Sequence, residues 1–91
     1  MPRVASAAAA SVGQRIVEGR LKAAITQDQL ASLSGIDSSN IRAYENGRSM
    51  PSVHSLVRIS VALGLEPGAL IEGLTLELFP AAEQDGRRRE A

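Results

Sequence analysis

Large apolar residues recur along the chain at spacings of three and four, and the repeats are interrupted by glycines. The first such segment starts at Val12 and follows a capping-box pattern that begins at Ser11, so it predicts a helix to about Ala23. Residues 1–10 are rich in Ala and Ser and lack large periodic apolar residues. We therefore predict a flexible N-terminal arm there.

Two short helices joined by a tight turn are predicted next. Thr26 and Gln29 form a second capping box, and the helix that they open should end at Gly35, which tolerates a left-handed backbone. Asp37 is the predicted N-cap of the following helix, which should stop at Gly47.

Two further helices follow in the pattern. Pro51 and Ser52 should start a fourth helix that ends at Gly64. A fifth should open at Pro67, because proline suits the first helical turn, and should end at Gly73.

The pattern changes after the fifth predicted helix. Leu74, Leu76 and Leu78 alternate with polar residues, which favours a short strand buried on one face. The alternative is a helix that continues through Gly73, because Leu70 and Leu74 also share one helical face.

The chain is thus predicted to be an all-α domain of five helices over residues 11–73, with a strand or helix extension over residues 74–80. Residues 81–91 carry charges without apolar periodicity, and we predict a flexible charged tail.

The composition narrows the classes of function that the protein is expected to have. The chain has 91 residues, 44% of them hydrophobic, with no Trp and single Tyr and Phe residues, so one small domain with an aliphatic core is expected. Cysteine is absent and His54 is the single histidine, which argues against thiol catalysis, metal sites and cofactors. With no apolar stretch of about 18 residues, we expect a cytoplasmic protein without a membrane segment and without enzymatic activity.

The segment that indicates function carries small, apolar and polar anchors in a fixed register: Gln27, Ala31, Gly35, Ile36, Ile41, Glu45 and Gly47. It resembles the lambda-repressor-like helix-turn-helix, specifically the Cro and xenobiotic-response-element (XRE) regulator family. The resemblance extends over about residues 12–73. It implies a helix-turn-helix DNA-binding domain whose third helix reads double-stranded DNA.

The anchors also have physical reasons. Ala31 must be small where the two helices cross, and Gly35 permits the sharp turn. Ile41 buries the inner face of the third helix and so sets the angle at which that helix projects.

The resemblance implies which residues contact base edges. Ser38 and Ser39 correspond to the first exposed turn of the recognition helix, and Arg42 and Ala43 follow on the same face. Arg42 is expected to read guanine and Ala43 a thymine methyl group, whereas the serines discriminate weakly.

The resemblance also implies phosphate contacts by Gln27, Asn40, Asn46 and Arg48. The whole chain has no net charge, but six basic and four acidic residues between positions 11 and 64 leave a mild positive excess there.

Two internal features concern the first helix. By the resemblance, Arg20 and Glu45 form a partly buried ion pair that ties the first helix to the third. Gly19 stands where the family has a larger apolar residue, which leaves volume to be filled, and Leu21 is expected to compensate or to face a partner.

Surplus apolar residues follow the domain: Ile71, Leu74, Leu76, Leu78 and Phe79. With little monomer core left to bury them, they are predicted to form a homodimer interface. The expected function is a transcriptional regulator, a repressor that binds an inverted-repeat operator as a homodimer. The alternatives are an antitoxin or restriction-modification controller of the same fold, or a module that binds a protein partner without binding an operator.

Overall fold

The computed structural model describes residues 5–80 of the chain. Within that range the chain forms four α-helices and two short 3-10 helices, and it contains no β-strand. The α-helices are α1 (Ala7–Lys22), α2 (Gln27–Ser34), α3 (Ser38–Glu45) and α4 (Val53–Leu63), and the 3-10 helices span Pro67–Leu70 and Leu76–Leu78. The predicted tail over residues 81–91 lies outside the described residues.

The core is aliphatic and draws on every α-helix. Its fully buried members are Val12, Ile16, Leu30, Ile41, Ile59 and Leu70. Burying one such side chain stabilises the folded state by about 1.5–3 kcal/mol. Together, these aliphatic side chains hold the short helices without a large aromatic residue at the centre. Tyr44, the single tyrosine, packs against the edge of this core and is half-buried.

Helix α1 begins earlier than the sequence predicts. Its N-cap is Ser6, whose hydroxyl accepts a hydrogen bond from the backbone N–H of Ala9 at 3.0 Å. The predicted start at Ser11 is wrong, and residues 7–10 of the expected arm are helical. The reason is tertiary, because the methyl groups of Ala8 and Ala9 are fully buried, and alanine also has the highest helix propensity.

The middle helices begin and end where the sequence predicts. Thr26 and Gln29 form the capping box of α2, and Gly35 ends that helix with a left-handed φ of 71°. Helix α4 is capped by Ser52 and ends at Gly64, which has a φ of 70°. These signals depend on residues close in sequence, which is why they could be predicted.

The C-terminal part differs from the prediction. The expected fifth α-helix is only the 3-10 turn Pro67–Leu70, and the favoured strand is wrong because Leu76–Leu78 is another 3-10 turn. A continuous helix is also excluded, since Gly73 turns the chain with a φ of 87°. Gly68, directly after Pro67, is a poor α-helix former, and Leu74 still reaches the core after the turn.

A close approach between α1 and α3 depends on Gly13. A Cβ atom at this position would overlap the carbonyl oxygen of Tyr44 and lie 2.8 Å from that of Glu45. Both obstacles are backbone atoms, so α1 can pack this closely on the end of α3 only through glycine. The sequence analysis did not identify this residue.

Gly19, in contrast, leaves space that side chains fill. A Cβ atom there would lie 3.0 Å from a methyl group of Leu63 and 3.1 Å from one of Leu65. These leucines occupy the volume that the missing side chain leaves.

Candidate nucleic-acid interface

Helices α2 and α3 are joined by a turn whose backbone is held from several sides. The N–H groups of Gly35 and Ile36 both donate to the carbonyl oxygen of Ala31, at 2.9 and 3.2 Å. Arg58 of α4 donates its Nε to the carbonyl oxygen of Ser34 at 2.8 Å. The orientation of α3 relative to α2 is therefore fixed by hydrogen bonds as well as by apolar packing.

Helix α3 has one face in the core and one face toward solvent. Ile41 is fully buried, whereas Ser39 and Arg42 are exposed and Ser38 and Ala43 are half-buried. The structure thus brings the four residues expected to contact bases onto one face. They are small or polar, so a helix presenting them fits a groove about 12 Å wide.

The residues expected to contact phosphate lie at different ends of the motif. Gln27 is the first residue of α2, where free backbone amides favour an anion. Asn46 is the C-cap of α3, and Arg48 is exposed just beyond it. Asn40 is exposed within α3 and does not cap that helix.

Arg20 and Glu45 form an ion pair between α1 and α3. The guanidinium Nε lies 2.7 Å from Oε2 of Glu45, and Nη2 lies 3.1 Å from Oε1. The side chain of Glu45 is 3% exposed and that of Arg20 is 15% exposed. Hydrogen bonding to Glu45 raises the pKa of Arg20, burial opposes this shift, and Coulomb attraction to Glu45 adds to it. Arg20 therefore stays charged at every pH of interest.

The same carboxylate also holds the first residue of α2. Gln27 donates from Nε2 to Oε1 of Glu45 at 2.9 Å. This contact fixes the amide of the residue expected to bind phosphate and connects it to the pair formed with Arg20. Nothing in the sequence pattern indicated the contact, because it joins two side chains that are 18 residues apart.

A second ion pair lies on the outer surface. Nη2 of Arg42 is 3.3 Å from Oδ1 of Asp28, and Nη1 of Arg42 is 3.4 Å from the hydroxyl of Ser38. The side chains of Arg42 and Asp28 are 48% and 75% exposed. The sequence analysis did not identify Asp28 as part of this surface.

Three of the arginines that contribute to the expected positive excess of the domain contact other groups of the same chain. Arg15 donates to the backbone carbonyl of Glu72 at 3.3 Å, and Arg58 is bonded to the turn after α2. Arg20 is neutralised by its buried partner. The arginines on α3 and in the loop after it are Arg42 and Arg48, and both are exposed.

The residues expected at a dimer interface do not share one environment. Ile71 and Leu76 are 44% and 53% exposed, whereas Leu78 and Phe79 are half-buried. Leu74 packs against the hydrophobic core. Leu74 therefore shares part of the little core that was expected to remain for these residues, and their place in a dimer interface stays a prediction.

Helix α4 exposes an apolar stripe that the sequence analysis missed. Val53, Val57 and Val61 are 77%, 38% and 74% exposed. Their spacing of four residues places them on one helical face and is the signal that could have revealed the stripe.

Residues 5–80 contain neither a candidate membrane span nor a candidate metal cluster. No helix in this range combines the length and apolar character needed to cross a bilayer. No three side chains of His, Cys, Asp or Glu in this range are grouped so that they could hold a metal ion.

Comparison with protein families gives a match that covers more than half of the chain. The model of the family described as Helix-turn-helix (HTH_3) matches residues 16–70, which include α2, the turn, α3 and α4. In the comparison with curated proteins, none matches significantly.

Solved structures similar to this chain include bacterial regulators. The restriction-modification controller protein C.AhdI from Aeromonas hydrophila is 34% identical, with a TM-score of 0.66 over 68% of this chain and 94% of that chain. A chain of the SinR protein/SinI protein complex is 25% identical, with a TM-score of 0.65 over 88% and 79% of the two chains. The hypothetical transcription factor NHTF from Neisseria is 19% identical, with a TM-score of 0.67 over 94% and 93%, and shows the shared fold.

Proposed function

The chain belongs to the XRE family of helix-turn-helix DNA-binding regulators, which are not enzymes, and we propose that it represses transcription by binding an inverted-repeat operator as a homodimer. The observation that carries this proposal is the outer face of α3. Four small or polar side chains share that face, while Ile41 and the bonded turn fix its direction. A rigid helix of this kind suits direct contact with bases in the major groove.

Each residue of that face has a chemical role in the proposal. Arg42 donates two hydrogen bonds to a guanine, and Ala43 contacts a thymine methyl group. Ser38 and Ser39 donate to or accept from base edges with little discrimination.

The phosphate contacts fix the register of the domain on the duplex. Gln27 donates the N–H that Glu45 does not use, at a helix end where the dipole favours an anion. Asn46 and Arg48 contact the backbone beyond the other end of the motif, and Asn40 contacts it from α3. These contacts supply affinity that falls with salt, because each neutralised phosphate releases counterions.

A dimer supplies the specificity that one recognition helix lacks. Two half-sites about 34–36 Å apart place both α3 helices in successive major grooves. Ile71 and Leu76, with Leu78 and Phe79 beside them, form the proposed contact because they leave apolar surface exposed after the domain. Leu74 is withdrawn from it, since it packs against the core of its own protomer.

One narrower function is favoured by similarity. The identity of 34% to the controller C.AhdI supports control of restriction-modification genes over an antitoxin role. An interaction module without operator binding is the alternative from a different class, and DNA selection separates it from a regulator.

The test of operator binding is selection of bound duplexes from a random pool, followed by titration of the selected duplex and a scrambled control at two salt concentrations. We expect an inverted repeat with half-sites about one DNA turn apart and a preference of about 10³ or more over the control. Weak binding without any enriched sequence would contradict the proposal and favour the interaction module.

The dimer contact is tested by light scattering of the full chain at micromolar concentration. Ile71→Asp and Leu76→Asp place charges in the proposed contact, so we expect monomers with strongly reduced operator affinity. Leu33→Asp is the matched control, because Leu33 is 63% exposed on α2 and outside that segment. Dimers of unchanged mass in both test variants would refute this interface.

A further inference from the structure

Arg42, to which we assign the reading of guanine, is paired with a carboxylate of the same chain. Asp28 lies in the first turn of α2, and its Oδ1 is 3.3 Å from Nη2 of Arg42. The other terminal nitrogen of Arg42 is 3.4 Å from the hydroxyl of Ser38. The guanidinium therefore lies back across the outer surface, with both terminal nitrogens in contact with groups of this chain.

We propose that Asp28 is a specificity-determining residue, which holds Arg42 away from DNA phosphates and in position to contact a guanine of the operator. The inference rests on the proposed operator binding. It assigns to the carboxylate on α2 a role that the outer face of α3 does not reveal by itself.

The exposure of the pair allows DNA to separate it. The side chains of Arg42 and Asp28 are 48% and 75% exposed, and an ion pair so open to water is weak and screened by salt. A phosphate can therefore compete with Asp28 for Arg42 without disturbing the fold, but it must displace the carboxylate to do so.

The two kinds of DNA differ in whether the pair must be broken. On arbitrary DNA, Arg42 can reach a phosphate only by leaving Asp28, and the carboxylate that it leaves stays close to the negative backbone. On the operator, Arg42 keeps the pair and contacts guanine with N–H groups that Asp28 and Ser38 do not use, a contact that discriminates between bases by roughly 5- to 150-fold. Asp28 therefore weakens nonspecific binding more than operator binding.

The experiment uses Asp28→Asn, which removes the charge and keeps the shape of the side chain. Affinity is measured for the selected operator and for the scrambled duplex over a range of salt. We expect the preference for the operator to fall about three- to tenfold, through tighter binding of the scrambled duplex. The salt slope on that duplex should steepen by about 0.9, because Arg42 then neutralises one further phosphate.

Two controls isolate the pair. Glu18→Gln removes an exposed carboxylate of α1, outside the helix-turn-helix and the proposed dimer contact, so the preference should stay unchanged. In an Arg42→Ala background, Asp28→Asn should no longer alter the preference. Thermal unfolding of each variant checks that the folded fraction is the same.

Three results would overturn the inference. Asp28→Asn could shift both duplexes equally, as removal of any remote charge would. Its effect could persist without Arg42, or operator affinity could fall, which would make Asp28 itself a DNA contact. A wild-type chain with no preferred sequence would refute the proposed function instead, so the two failures are distinguishable.

Discussion

Two arginine–carboxylate pairs with opposite surroundings join helices of the domain, Arg20–Glu45 between α1 and α3 and Arg42–Asp28 between α3 and α2. Arg20 and Glu45 meet at 2.7 Å with side chains 15% and 3% exposed, whereas Arg42 and Asp28 meet at 3.3 Å with side chains 48% and 75% exposed. The chemical groups are alike, and the access of water differs. That difference separates a pair that holds the fold from a pair that DNA can exchange.

The buried pair holds the fold because its partners have no substitute. Water cannot easily replace Arg20 beside Glu45, so loss of one member leaves a buried charge without its counterion. The exposed pair is different, since water and salt compensate Arg42 or Asp28 when they part.

Removing a carboxylate from each pair gives the largest expected contrast. We expect Glu45→Ala to lower the free energy of unfolding by about 3–5 kcal/mol, because Arg20 loses its buried partner. Asp28→Ala should lower it by about 1 kcal/mol or less, with loss of the helix-dipole interaction included. Urea denaturation followed by circular dichroism measures both, and equal losses would refute the distinction.

A second contrast concerns the backbone contact beside the buried pair. Gly13→Ala places a methyl group against the carbonyl oxygens of Tyr44 and Glu45, so α1 must move away from α3. We expect a loss of about 2–3 kcal/mol in the free energy of unfolding, despite the better helix propensity of alanine.

Gly19→Ala is the matched control for that variant. Its methyl group meets only the flexible ends of Leu63 and Leu65, which can shift by a few tenths of an ångström. We expect a change within about 1 kcal/mol, because the gain in helix propensity offsets the crowding. A larger loss at position 19 than at position 13 would show that backbone contact with α3 is not the limiting constraint.

The sequence predicted the elements whose limits depend on nearby residues. The capping box at Thr26 and the left-handed glycines at 35 and 64 define α2 and α4 as expected. The start of α1 was missed because the capping-box pattern lies at Ser11, and only burial of Ala8 and Ala9 favours the earlier start at Ser6. Tertiary packing likewise determines which secondary structure the segment after Gly73 adopts, because Leu74 packs against the core.

The candidate site was predicted only in part for a related reason. The register of α3 follows from helical spacing, so the sequence could place Ser38, Ser39 and Arg42 on one face. The contact between Arg42 and Asp28 joins residues 14 positions apart and depends on the rotamers of both. No local pattern specifies such a pair, which is why it emerges only from the folded arrangement.

Gln27 contacts the buried pair through Glu45 and precedes Asp28 in the chain, and its substitution has a small expected effect on stability. Gln27→Ala removes one donor from Glu45, but both bonds from Arg20 remain, so we expect a loss of about 1 kcal/mol in the free energy of unfolding. Because a phosphate contact carries no sequence information, DNA affinity should fall about tenfold on operator and scrambled duplex alike. Gln14→Ala, on the exposed side of α1, should change neither quantity. A loss confined to the operator would make Gln27 a base contact, whereas unchanged affinity would remove it from the interface and leave it a purely internal partner of Glu45.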